Sequence, residues 1–199
     1  MVQMMKLLAQ TGFLAGVLPY IELYILPKDP TFSFLTSPSP LGLQRGASIG
    51  LTIHVVAGFW ITLWGLMVGS KRSVYREKAR KDGEKDVDQR YGLPNLYVEG
   101  CTKHSKAFNC VQRSHQQIFE TLAQFITANL IATIYFPISA SVSVLVWFVG
   151  RVTWAKGYAA SEGDPSKRYD SPFAYGIWTG YLSSMLLAVA TCVRVIMGW

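Results

Sequence analysis

Arg113, Gln117, Glu120 and Gln124 are separated by 4, 3 and 4 residues, and an α-helix stacks that spacing along one face. They belong to the stretch from Phe108-Asn109-Cys110-Val111-Gln112-Arg113 through Ser114-His115-Gln116-Gln117-Ile118-Phe119-Glu120, which runs directly into an apolar segment. The flanking faces carry Ile118, Phe119, Leu122, Phe125 and Ile126. A charged side chain in hydrocarbon costs at least several kcal/mol. A stripe of this kind therefore faces a partner helix or a wet cavity, and it is a candidate binding site.

A second polar face follows. Arg151, Trp154 and Tyr158 fall at i, i+3 and i+7 at the end of the next apolar block, and Lys167 and Arg168 close the turn after it. Guanidinium forks suit carboxylates, and a carboxylate suits an ammonium. Arg113 and Arg151 with Glu120, the Gln117 amide and the Tyr158 phenol would together satisfy a ligand bearing two carboxylates and one amine. Glutathione has that charge pattern.

These faces are positioned by apolar blocks long enough to cross a bilayer, which needs roughly 20 residues each. Ile49–Val68 contains no charge and only His54 as an ionisable group; the others run Ile118–Phe136, Ile138 to about Tyr158, and Phe173–Val193. Half of the 199 residues are apolar and 16% are charged. The expected fold is an all-α integral membrane protein, a bundle of four transmembrane helices over residues 46–199. Residues 1–45 form an additional apolar segment and a Pro-rich linker. Met4–Leu26 is compatible with an extra span, an interfacial helix or an uncleaved signal anchor. Pro27, Pro30, Pro38 and Pro40 break the chain after it.

The first core helix is expected to run on through Lys71, Arg72, Arg76 and Lys81 as a solvated extension, stopping at Asp82-Gly83. The two-residue link Phe136-Pro137 forces an antiparallel hairpin. The net charge of +7 is not a nucleic-acid signal, because the bases cluster between Lys71 and Arg113 and again at Lys156, Lys167 and Arg168, where loops on the cytosolic side carry them. That places the Phe136-Pro137 link and Trp199 on the other side. Cys101, Cys110 and Cys192 have no metal-ligand spacing and read as free thiols; no metal is expected. His54 is read as a bundle-facing hydrogen-bonding group, His104 as a loop residue, and His115 as a headgroup or subunit-contact residue. The blander alternatives are that Arg113 snorkels to headgroups and that the ladder is interhelical glue. Snorkelling does not account for Gln117 and Glu120, one and two turns deeper.

The Phe-Asn-Cys-x-Gln-Arg-x-His-Gln run ending at Gln116, followed by Glu120, and the run Gly150-Arg151-Val152 with Ala155, Gly157 and Tyr158, then Asp164-Pro165-Ser166-Lys167-Arg168, resemble the MAPEG family. Its name stands for membrane-associated proteins in eicosanoid and glutathione metabolism. Within it the chain is most similar to the type 3 microsomal glutathione S-transferases, over about Ile49 to Trp199. The resemblance implies a homotrimer that binds glutathione, as co-substrate, between subunits near the cytosolic face. Arg113, Gln117 and Glu120 would hold it from one subunit, and Arg151, Trp154 and Tyr158 would line the site. Arg168, with Lys167 beside it, would stabilise the sulfur anion. Gln117 stands where relatives commonly have Asn, and Trp154 where they often have Tyr.

The implied activity is a membrane-bound glutathione transferase or peroxidase acting on lipophilic electrophiles or lipid hydroperoxides. The alternative is a non-catalytic subunit or lipid-binding accessory protein recruited into a larger membrane complex. The expected partners are membrane lipids and a hydrophobic small-molecule or lipid substrate. The endoplasmic reticulum is the membrane the resemblance implies, with a mitochondrial membrane left open by the N-terminal arm.

Overall fold

The computed structural model describes residues 2–40 and 42–198. The chain is mostly helical, and among the described residues there is no strand, only one isolated bridge between Pro38 and Gln44. Helix α1 is Val2–Gly12, followed by a π-helical turn Phe13–Val17 and α2, Leu18–Tyr24. The π turn lies just ahead of Pro19, whose missing N–H and ring interrupt the regular i→i−4 ladder. A 3-10 turn at Leu26–Lys28 and the short α3, Ser33–Thr36, lead to α4, Gly46–Lys81. The four-residue α5, Val87–Arg90, lies in the connector to α6, Lys103–Tyr135. After it come α7, Pro137–Ala159, 3-10 turns at Pro165–Tyr169 and Pro172–Tyr175, and α8, Gly176–Met197.

Five helical runs are long and apolar enough to cross a membrane: Gln3–Lys28, Gly46–Lys81, Lys103–Tyr135, Pro137–Ala159 and Pro172–Met197. The first shows that the N-terminal segment meets the requirement for a span. At 1.5 Å per residue α4 is about 54 Å long, well beyond a hydrocarbon core of about 30 Å. Its basic end is the extension expected from the sequence. It stops as a Schellman motif: Gly83 has φ 71°, its N–H donates to the Arg80 carbonyl (3.1 Å), and Glu84 N–H donates to Ala79 (3.0 Å). Phe136 alone separates α6 from α7, and Pro137 opens α7 where its missing N–H is harmless.

The chain divides into two compact units. The first comprises residues up to Ala57, Thr121–Gly150 and the chain from Tyr175. Phe125 stacks on Trp147 (4.3 Å between ring centroids, 17°) and approaches Tyr181. Buried Asn129 accepts from His54 Nε2 through Oδ1 (2.8 Å), and its Nδ2 donates to the Ala140 carbonyl and to Ser184 Oγ, both at 3.0 Å. His54 thus faces the interior, as expected. Trp178 meets Tyr181 edge to face; Trp199 lies outside the described residues.

The second unit comprises Gly58–Glu120 and Arg151–Ala174. Its core gathers Val68, Ala79, Val87, Tyr91, Val98, Phe108 and Val111, and the Arg72 guanidinium covers the Phe108 ring at 4.7 Å. Trp64 Nε1 donates to Ser114 Oγ at 2.9 Å. His104, expected in a loop, belongs instead to the first turn of α6. There its Nε2 meets Asp82 Oδ2 at 2.6 Å, because the helix begins fifteen residues ahead of its apolar block. His115 packs edge-on against Phe119 at 4.9 Å.

Candidate functional site

The polar ladder resolves into two pairs, both inside the second unit. Arg113 and Glu120 sit two turns apart on α6, about 10 Å along the axis, so only two long side chains can bridge them. They form a two-pronged ion pair, Nη1 to Oε1 and Nη2 to Oε2, the latter at 2.9 Å. Both remain partly exposed, with side-chain exposures of 37% and 43%. Gln117, between them in sequence, turns to α7, where its Oε1 accepts from Arg151 Nη1. Arg151 is only 2% exposed, and the Glu120 carboxylate and the Tyr169 phenol are close enough to act on its charge.

Along α7 the Arg151 guanidinium lies 5.8 Å from the Trp154 ring centre, and Trp154 meets Tyr158 at 5.0 Å. The turn after α7 then brings back Arg168, whose guanidinium sits 5.8 Å from the Tyr158 ring and 5.2 Å from that of Tyr169 while donating to the Pro165 carbonyl. That turn is held by Asp164, whose Oδ1 accepts from Ser166 N–H (2.9 Å) and Oγ (2.7 Å). The same bonds hold the Asp164 carboxyl below its usual range. Gly157 is required where the turn packs back on the helix, since a Cβ there would stand 2.8 Å from the Lys167 carbonyl.

The structure therefore brings Arg113, Gln117, Glu120, Arg151, Trp154, Tyr158 and Arg168 into one neighbourhood. Lys167 contributes its backbone, and its side chain is exposed. Gln124, the fourth rung expected from spacing, is exposed and belongs to the first unit. Tyr169 and Tyr97 were not picked out by the sequence. Tyr169 had the signal of standing beside Arg168. Tyr97, near enough to act on the charge of Arg113, is a connector residue whose spacing to the ladder follows no helical rule. Cys110 is buried close to Tyr75 and Tyr158, and Cys101, Cys110 and Cys192 are free thiols. Among the described residues no group of three or more His, Cys, Asp or Glu side chains is placed to hold a metal ion.

Three guanidiniums against one carboxylate leave the neighbourhood with an excess of positive charge, which favours an anionic ligand. The MAPEG family model matches residues 50–193. The chain belongs to the MAPEG family. With five apolar helical runs it is an integral membrane protein, its helices in contact with lipid. The MAPEG match covers α6 and α7 throughout, most of α4 and α8, and every candidate site residue; it leaves α1 to α3 outside. The MAPEG family includes glutathione transferases and peroxidases and also members that are not catalysts. No solved structure matches the chain.

Proposed function

We propose that this MAPEG protein is a membrane-bound glutathione transferase and peroxidase of the type 3 microsomal kind, working as a homotrimer in the endoplasmic reticulum membrane. The observation that supports it most is the gathering of Arg113, Arg151 and Arg168 around Glu120 and Tyr158 within one unit. Glutathione offers two carboxylates, an ammonium and a thiol. Arg113 and Arg151 take the carboxylates, Glu120 takes the ammonium and Gln117 a peptide amide, while Trp154 and Tyr158 wall the site. In the free subunit Glu120 occupies Arg113, standing in for a ligand carboxylate, so binding is an exchange of partners with no bare charge left behind.

A free thiol has a pKa near ~8.5, and only the thiolate is the nucleophile. Arg168, steadied on the rings of Tyr158 and Tyr169, favours the anion, with Lys167 adding a more distant charge. The sulfur then forms a bond to an electrophilic carbon as the leaving group departs with its electron pair. With a lipid hydroperoxide it attacks the terminal oxygen instead. The O–O bond breaks, the alkoxide takes a proton to become the alcohol, and a second glutathione converts the sulfenic acid into disulfide and water.

The closed pairs Arg113–Glu120 and Arg151–Gln117, together with Trp154 in place of a phenol, favour one alternative: a non-catalytic, lipid-binding subunit of a larger membrane complex. Calorimetric titration of the detergent-purified chain with glutathione, beside conjugation and lipid-hydroperoxide assays, separates the two. The enzyme reading expects binding and turnover, with Arg168→Ala losing about a hundredfold in kcat at nearly unchanged glutathione affinity. A protein that neither binds glutathione nor turns over with it leaves the second reading.

A further inference from the structure

The connector between α4 and α6 is fastened on both sides of Tyr97. Ahead of it, Arg72 Nη2 from α4 donates to the Leu96 carbonyl at 2.9 Å. Behind it, Asn109 of α6 takes both backbone groups of Val98: its Oδ1 accepts from Val98 N–H at 2.8 Å, and its Nδ2 donates to the Val98 carbonyl at 2.9 Å. Val98 itself is buried in the core of the unit. A connector residue with both neighbours tied to helices has little backbone freedom left, and a tyrosine side chain adds only two soft torsions. The phenol is thus delivered to one place.

That place is the ligand ladder. Asn109 precedes Arg113 by four residues, one turn along the same face, so the side chain that clamps the connector stands next to the side chain the connector reaches. The Tyr97 phenol is near enough to act on the charge of the Arg113 guanidinium and on Tyr158. Arg113 has already given one N–H from each terminal nitrogen to Glu120. The phenol oxygen can accept one of those remaining, which leaves its own O–H as a donor beside the cation.

We propose that Tyr97 is a positioning residue of this site: clamped by Asn109 and Arg72, it holds the Arg113 guanidinium in the orientation that meets a glutathione carboxylate. The inference rests on the glutathione-binding reading above and deepens it. It also gives Asn109 a task distinct from ligand contact, that of fixing the connector.

Full-length chain in detergent micelles tests this with Tyr97→Phe, which keeps the ring and removes the oxygen. The expected result is a rise of about three- to tenfold in the dissociation constant and KM for glutathione, with kcat at saturation within about twofold and an unchanged melting temperature. Arg113→Ala is the background that separates positioning from packing: there Tyr97→Phe adds no further loss, since the group it orients is gone. Asn109→Ala should reproduce the Tyr97→Phe effect, and the two together should fall short of the product of the separate effects. Glutathione bound equally well by wild type and Tyr97→Phe would overturn the assignment and leave the glutathione reading standing. A wild-type chain that binds no glutathione would remove both.

Discussion

Glu22 and Ser139 are joined twice: one carboxylate oxygen accepts from the Ser139 backbone N–H at 2.8 Å and from its hydroxyl at 2.5 Å, while the other accepts from the Ile138 N–H at 2.7 Å. Glu22 is 2% exposed. The first turn of α7 has N–H groups without partners in its own helix and the positive end of its dipole, and here a carboxylate from the N-terminal run satisfies both. A second polar link, from Thr179 Oγ1 of α8 to Gln10 Oε1 at 3.2 Å, fastens α1. The N-terminal segment, outside the family match, is thereby built into the first unit.

Glu22→Ala should cost about 2 kcal/mol, the scale of lost charge-assisted caps, and Glu22→Gln about half as much because one acceptor oxygen remains. Thermal unfolding in a fixed detergent reads both. An alanine variant that melts with wild type would mean that α7 does not rely on this cap.

Tyr91 supplies a pH prediction in the second unit. It is 1% exposed and its hydroxyl has no hydrogen-bond partner. Burial first, then the nearby Glu84 charge, pushes the phenol up from 10.0 to about 12. The folded state therefore holds its proton more tightly than the unfolded chain. The corresponding stability is complete below pH 10 and is lost as pH rises towards 12, in total about 2–3 kcal/mol. Tyr91→Phe should abolish this alkaline loss and be neutral or stabilising by up to about 1 kcal/mol at pH 7, since it deletes a buried hydroxyl without a partner. A phenylalanine variant that retains the same alkaline transition would assign it to another group.

The parts of this fold legible in the sequence are those decided locally. The Gly83 stop needs only a residue tolerant of positive φ after a helix-forming run, and the Phe136-Pro137 hairpin needs only a break too short for anything else. The ladder was visible because a 4–3 spacing is a property of one helix. Its pairing was not: spacing puts Arg113, Gln117 and Glu120 on a face but does not decide that the outer two join while Gln117 turns to Arg151. Gln124 obeys the same spacing yet falls in the other unit. Glu22 was hidden for a different reason. Its partners are more than a hundred residues away, so composition left three alternatives for Met4–Leu26. Tyr97 depends on a connector path that no periodicity encodes.

Helix–helix contact in the first unit depends on missing side chains. A Cβ on Gly150 would collide with the backbone of Gly176 and Ile177, and one on Gly180 would meet the Ser143 carbonyl and the Trp147 backbone nitrogen, the latter at 2.6 Å. Neither glycine has a positive φ, so the cost of substitution is steric and falls on backbone that cannot swing aside. Gly150→Ala should destabilise by about 1–3 kcal/mol or prevent folding. Gly58→Ala, at a helical position with open space around it, should be harmless or slightly stabilising. Equal melting temperatures for the two alanine variants would mean that α7 and α8 do not approach this closely.

Gln117 separates stability from ligand binding. Its Oε1 is an acceptor for a guanidinium that is almost wholly buried. Gln117→Leu keeps most of the volume and removes the acceptor, at a cost of about 1–3 kcal/mol and a fall in glutathione affinity of about tenfold as Arg151 loses its orientation. Gln117→Glu keeps an acceptor and adds a charge that Arg151 can pair with, so the melting temperature should stay near that of wild type. The same charge cancels one of the three cations and repels incoming carboxylates, so glutathione affinity should fall further than in the leucine variant. The two substitutions thus order oppositely in melting and in calorimetric binding. A glutamate variant that binds glutathione like wild type would show that the charge excess around Arg151 plays no part in recognition.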